Sequence, residues 1–160
     1  MLLCISYLSL TGLIAFFLGR LLPKQWFRGD LFPFRPFTFE KRGTIYNRLH
    51  IKVWQSKVPD MSRILPDLMP GKRLSADYRA QLPRMVQETC IAELTHFVLG
   101  LTGLYCIKLW RGMGGLIFSI LNLLGNAVFI IIQRYNRPRL MCLQKSAARK
   151  HGLEEVSCAF

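Results

Sequence analysis

Long uncharged runs alternate with basic stretches along this chain, and the runs set its plan. From Met1 to Gly19 no charge interrupts the apolar sequence, and Arg20 and Lys24 close it, so a transmembrane helix is expected over 1–22. A cleaved signal peptide is the rival reading. A retained span is favoured because no basic region precedes the run and no A-x-A-like site follows it. Pro83 suits the first turn of a second helix, where its missing N–H costs nothing. That helix runs through Glu88, Glu93 and His96 to about Trp110, with an uncharged core from Leu94 to Ile107. The core is short for a span, so a crossing over 90–110 needs its first polar turns at the boundary, or Lys108 snorkelling outward. Gly112 to Gln133 is uncharged throughout, with Asn122 and Asn126 inside it, and predicts a third span over 112–133.

Between the first and second runs the pattern changes. Trp26-Phe27-Arg28 and Leu31-Phe32-Pro33-Phe34-Arg35-Pro36-Phe37-Thr38-Phe39 mix aromatics with prolines that forbid a long helix, as expected of an extended strip at headgroup depth. Thr44 to Lys57 puts Ile45, Leu49 and Val53 on one side, which predicts a short amphipathic surface helix ended by Pro59. Residues 62–82, with Pro66, Pro70 and Gly71, read as loop with a short helix around Asp77 to Gln81. The expected fold class is an all-α membrane protein of about three transmembrane helices, with an interfacial amphipathic and extended basic segment between the first and second. Residues 1–145 form a single membrane-embedded domain, and 146–160 a short polar tail.

Charge sharpens this plan. Lys and Arg number 22 against 9 acids, a net charge of +13, yet mean hydropathy is still +0.25. The basic residues adjoin apolar runs and alternate with Trp and Phe, so anionic lipid headgroups are the expected partner and nucleic acid is not. With residues 23–90 and the tail both cytoplasmic, the three spans alternate correctly and leave only Lys108 and Arg111 outside. The five cysteines show no CxxC pair and no regular pairing, so neither a disulfide framework nor a zinc site is expected.

The candidate chemistry then gathers at one membrane face. Glu88, Glu93 and His96 open the second span, while Gln133, Arg134, Asn136 and Arg137 close the third. On a helix Thr89, Glu93, His96 and Gly100 share a stripe, so Glu93 can orient the His96 ring or share a proton with it. A carboxylate and an imidazole entering a membrane are functional candidates by default, though groups near a helix end also serve simply as headgroup contacts. The Glu-x-x-His spacing occurs in di-iron bundles, but one copy is too few for a metal site. Arg134, Arg137 and Arg139 within Gln133-Arg134-Tyr135-Asn136-Arg137-Pro138-Arg139 suit a phosphate-bearing lipid, coenzyme or phosphopantetheine arm; positive-inside anchoring is the alternative. Asn122 and Asn126, one turn apart, suit interhelical hydrogen bonds, and Gly115 with Ser119 suits close helix approach.

Trp26-Phe27, Phe37-Thr38-Phe39-Glu40 with Gly43, Tyr46-Asn47, Lys52-Val53-Trp54, Glu88-Thr89, Ala92-Glu93-Leu94-Thr95-His96 and Gln133-Arg134-Tyr135-Asn136-Arg137-Pro138-Arg139-Leu140 resemble, in consistent order over roughly residues 20 to 145, the glycosyl-4,4'-diaponeurosporenoate acyltransferase family. The resemblance implies a multi-pass enzyme of the bacterial cell membrane that esterifies a sugar hydroxyl of a glycosylated carotenoid, a late step towards staphyloxanthin, or acts on another glycolipid. It implies a lipid-linked sugar acceptor and an acyl donor, acyl-CoA or acyl carrier protein, as co-substrates, with no tightly bound cofactor and no metal. Acyl transfer needs a base for the attacking hydroxyl and donors for the oxyanion. We expect His96 as base and Glu93 as its orienter, with Glu88, Arg134, Asn136, Arg137 and Arg139 holding substrate or donor. The alternative is a non-catalytic membrane protein that binds lipid or positions a partner enzyme.

Overall fold

A computed structural model describes residues 1–58 and 78–149 of the chain. The expected loop over 62–77 and the last part of the tail lie outside the described residues. Helices α1 (Leu2–Leu21), α2 (Ile51–Trp54), α3 (Tyr78–Thr102), α4 (Cys106–Leu109) and α5 (Met113–Arg149) make up the architecture, joined by 3-10 turns, and among the described residues there is no strand. Among the described residues three helical stretches are long and apolar enough to cross a membrane: Leu2–Leu21, Arg79–Leu109 and Met113–Ala147.

In α1 only Cys4 is buried, while leucines such as Leu10 and Leu13 stand exposed, as expected of a helix that gives most of its surface to lipid. Its contacts to α3 are few and specific. The Tyr7 hydroxyl donates to the Thr102 carbonyl at 3.0 Å near one end, and Gly19 lies against Thr95 and Ile91 near the other. These pairings run α1 antiparallel to α3.

Helices α3 and α5 form the main hairpin. The 3-10 turn Gly103–Tyr105, α4 and Gly112, whose φ of 98° suits glycine, reverse the chain. Close approach depends on small residues, as the Gly115 and Ser119 pattern predicts. A Cβ on Gly115 would lie 2.2 Å from the Trp110 carbonyl oxygen, and the Ser119 hydroxyl donates to the Gly103 carbonyl at 3.1 Å. Asn122 also bridges the helices, donating from Nδ2 to the Leu99 carbonyl at 2.9 Å.

The structure departs from the sequence expectation in four places. Helix α5 does not stop at 133 but continues to Arg149 with Pro138 inside it. Burial of Tyr135, Arg137 and Pro138 against the rest of the protein outweighs the roughly 3 kcal/mol that an interior proline costs. Pro83 likewise lies within α3, which begins by Tyr78. The helix expected over 44–57 is broken into 3-10 turns (Thr38–Leu49), α2 and a last 3-10 turn (Gln55–Lys57). His50 takes the left-handed conformation, φ 50°, at the break, and Ile51, not Ile45, Leu49 or Val53, is the buried anchor. Finally, Cys142 is disulfide-bonded, where no disulfide was expected, whereas Cys4, Cys90 and Cys106 are buried free thiols.

The aromatic strip packs down onto the protein. After the 3-10 turn Lys24–Trp26, Phe27 inserts against Cys90 and Ile91, with Phe34 against Phe27 at 5.7 Å between ring centres. Gly29 lets the strip cross between α3 and α5, since a Cβ there would sit 2.9 Å from Val86 and 3.1 Å from Arg137 and Met141.

Candidate active site

Two carboxylates and two guanidiniums occupy the end of the α3–α5 hairpin under this strip. Arg134 donates from Nε to Glu40 Oε1 at 2.6 Å and from Nη2 to Glu40 Oε2 at 3.2 Å, and its Nη1 bonds Glu93. Arg137 donates from Nη2 to the other Glu93 oxygen, from Nε to the Thr89 hydroxyl at 3.0 Å and from Nη1 to the Phe34 carbonyl at 2.7 Å. Arg137 and Glu40 are about as buried as any residue in the described protein, at 1% and 2% exposed. Equal numbers of opposite charges bonded this fully satisfy the condition under which charge survives burial. The rings complete the enclosure, with Phe37 under Arg134 at 4.5 Å and Phe34 under Arg137 at 5.5 Å.

Glu40 lies outside the spans and shows how firmly the quartet is held. Burial pushes its pKa up, but hydrogen bonds from Arg134 and Tyr46 together with the Arg134 charge prevail and hold it below the ordinary 4.5. The Tyr46 hydroxyl donates to Glu40 at 2.6 Å; burial and then this carboxylate raise its own pKa, so it stays a neutral donor.

His96 stands apart from the quartet. Sequence spacing pairs it with Glu93, but Glu93 is bonded to the two arginines, and His96 Nδ1 instead meets Asn126 Oδ1 at 2.9 Å. Phe129 stacks on the imidazole at 4.5 Å and 5°. Asn126 Nδ2 donates to the Asn122 backbone carbonyl at 2.8 Å, and a carbonyl accepts only. That fixes which end of the amide faces His96: its oxygen accepts, so the neutral imidazole carries its proton on Nδ1. The lone pair is left on Nε2, for which no hydrogen bond is present among the described residues. An imidazole of that tautomer can take a proton from a hydroxyl.

The other candidates lie around this centre. Glu88 accepts from Lys24 at 2.9 Å and from Arg84 at 3.0 Å at the partly exposed mouth of α3. Asn136 and Arg139 line a groove of about 590 Å³ beneath α2, with Asn47, His50 and Lys52 on its far wall. Sequence reasoning gave Glu40, Thr89 and Tyr46 no role in the site, although all three stand among the residues that carry the family resemblance. Their signal was the acid count: Glu40 follows an aromatic strip and Glu93 enters an apolar helix, and each needs a cation. No cluster of three or more His, Cys, Asp or Glu able to hold a metal occurs among the described residues.

Comparison with known proteins now decides the family. The family model described as "Glycosyl-4,4'-diaponeurosporenoate acyltransferase" matches residues 23–146, which include the quartet, His96 and the groove. The chain belongs to this family. Proteins named glycosyl-4,4'-diaponeurosporenoate acyltransferase from Staphylococcus aureus strains Newman and N315 are 29% and 28% identical to it over 152 residues, covering 92% of this chain and 89% of theirs. The protein from strain USA300 is 28% identical over the same extent. No solved structure matches. As a member of this acyltransferase family with three helices able to cross a membrane, the chain unites lipid-facing surface with a polar end on one hairpin.

Proposed function

We propose that this protein is a membrane-bound acyltransferase that moves a fatty acyl chain from an activated donor to a sugar hydroxyl of a glycosylated carotenoid or related glycolipid. One observation carries the chemical part: Asn126 leaves Nε2 of His96 as a proton acceptor on the face of a membrane hairpin. The hydroxyl gives its proton to Nε2 as its oxygen attacks the acyl carbonyl; the tetrahedral intermediate then expels the donor's thiol or alcohol, which takes that proton back. The ester bond forms as the donor's acyl bond breaks, with no net change in protons. The names of the relatives support the acceptor class.

In this reading Glu93 acts through Arg134 and Arg137, as the carboxylate that lets both guanidiniums stay buried and hold the strip in place. Asn136 and Arg139 belong to the donor side. Phe129 and Asn136 are seven residues apart on α5, two turns on one face, or about 10 Å. Glu88 with Lys24 and Arg84 forms the polar rim. We further propose that the central basic segment and the end of α5 face the cytoplasm, on the strength of 13 Lys and Arg against 6 acids in residues 23–90. Donor thioesters arise on that side.

The test is chemical. Lipid extracts of a bacterial host supplied with the glycolipid acceptor, with and without this protein, are compared by mass spectrometry. A glycolipid heavier by one fatty acyl group, formed only with the protein, supports the reading; an unchanged glycolipid pool despite inserted protein rejects it.

A further inference from the structure

The groove beneath α2 has a composition that neither the charge quartet nor His96 explains. Its walls are the elbow of residues 47–55 on one side and Tyr135, Asn136 and Arg139 of α5 on the other. At about 590 Å³ it falls within the range of small-molecule sites. Lys52 and Arg139 bring fixed positive charge, Asn47 and Asn136 bring amides, and among the described residues no carboxylate lines the groove.

Three details say that this groove is built. Arg139 is held in place: its guanidinium lies over the Tyr135 ring at 3.4 Å, donating from Nη1 to the Tyr135 carbonyl at 2.9 Å and from Nη2 to Asn47 Oδ1 at 3.0 Å. His50 sits in the left-handed region, unusual for a residue other than glycine, and this turn swings Lys52 and Gln55 to the wall facing α5. Above all, Gln55 Oε1 is buried and has no hydrogen-bond partner among the described residues. A buried polar atom of this kind is costly while unpaired, and a small turn of this groove-lining side chain would bring it to a donor.

From these observations we infer that the groove binds a phosphate-bearing group that carries N–H or O–H donors beside the phosphate, and that this group is the head of the acyl donor. Lys52 and Arg139 meet the phosphate oxygens, the guanidinium through its planar fork. Gln55 Oε1 accepts from the neighbouring amide or hydroxyl. Two sources share this chemistry: the phosphate and amide arm of a coenzyme A thioester, and the phosphate and glycerol hydroxyls of phosphatidylglycerol. The groove opens beside the stripe that leads two turns along α5 to Phe129 and His96, so a head bound here directs its acyl end toward the imidazole. The assignment of the head to the donor rests on the acyl-transfer reading; the phosphate site itself does not.

Binding at equilibrium tests the site without turnover. Full-length protein in phosphatidylcholine nanodiscs is titrated with coenzyme A by calorimetry, and in parallel the melting temperature is followed as phosphatidylglycerol replaces part of the phosphatidylcholine. If the head is a coenzyme, coenzyme A binds, and Lys52→Gln or Arg139→Gln each weakens it by about tenfold or more. If it is a lipid, phosphatidylglycerol raises the melting temperature of the wild type and not of those variants. Gln55→Met should weaken the same ligand while leaving the unliganded melting temperature unchanged or higher, because it removes an unsatisfied atom. Lys57→Gln, the same charge change just outside the groove, should leave binding alone. The site is refuted if neither ligand responds to Lys52 and Arg139, or if Lys57→Gln has an equal effect. Loss of this site with glycolipid acylation intact would leave the acyl-transfer reading standing, and the reverse result would leave the phosphate site standing.

Discussion

Asn126 and Glu93 exchange the roles that helical spacing suggests for them. Because Asn126 holds the Nδ1 proton of His96, Asn126→Leu should lower turnover roughly ten- to a hundred-fold, the size of effect typical of a partner that orients a functional imidazole. Asn126→Asp keeps an acceptor and adds negative charge that favours the imidazolium. Its activity should survive but rise only at higher pH than in the wild type, because the base works when neutral. A packing role for Asn126 would not move that limb of the pH–rate profile. Glu93→Gln should act differently, costing about 3–5 kcal/mol of stability as it leaves buried guanidinium charge uncompensated, read from denaturation in detergent. The presence of these polar residues was legible in the sequence, since Glu93, His96, Arg134 and Arg137 all interrupt or end apolar runs. Their partners were not. Spacing along one helix sees Glu93 beside His96, but the cross-helix pairings depend on how far α3 and α5 are slid past each other.

The hairpin that sets this slide is itself testable. On Gly115 a Cβ would meet the Trp110 backbone oxygen at 2.2 Å and the Cys106 oxygen at 2.5 Å, whereas on Gly125 it would meet nothing within 4 Å. Gly115→Ala should therefore destabilise by about 1–3 kcal/mol or more, while Gly125→Ala stabilises by up to about 1 kcal/mol, in thermal denaturation. The apolar elements were readable because length and hydropathy suffice for a span; the end of α5 was not, because Pro138 and a run of arginines are ordinary stop signals. Burial of Tyr135, Arg137 and Pro138 against the rest of the protein carries the helix onward. Similarly, the left-handed His50 that breaks the segment over 38–57 leaves no periodic trace. The strip's attachment through Glu40 predicts a pH effect. Since its folded pKa lies below 4.5, its contribution is present above that value and disappears as pH falls through the depressed one. The stability gap between wild type and Glu40→Gln should be constant near neutrality and close on strong acidification.

Across the whole protein, helices long and apolar enough to cross a membrane end in a cluster of paired charges. Single cysteines introduced at exposed Arg48 and at exposed Met113 mark opposite ends of the α3–α5 hairpin. An impermeant maleimide added to intact cells should label Met113→Cys and spare Arg48→Cys; the opposite pattern would invert the proposed orientation. The central claim, that His96 removes the proton from the acceptor hydroxyl, is tested most directly by one rate. Acyl transfer to glycolipid is measured for wild type and His96→Gln in the same nanodiscs, with melting temperatures recorded alongside. Loss of general-base catalysis predicts a fall in turnover on the order of 100- to 10,000-fold with an unchanged melting temperature. Near-normal turnover by stably inserted His96→Gln would contradict the account and reduce the His96–Asn126 bond to a contact between packed helices.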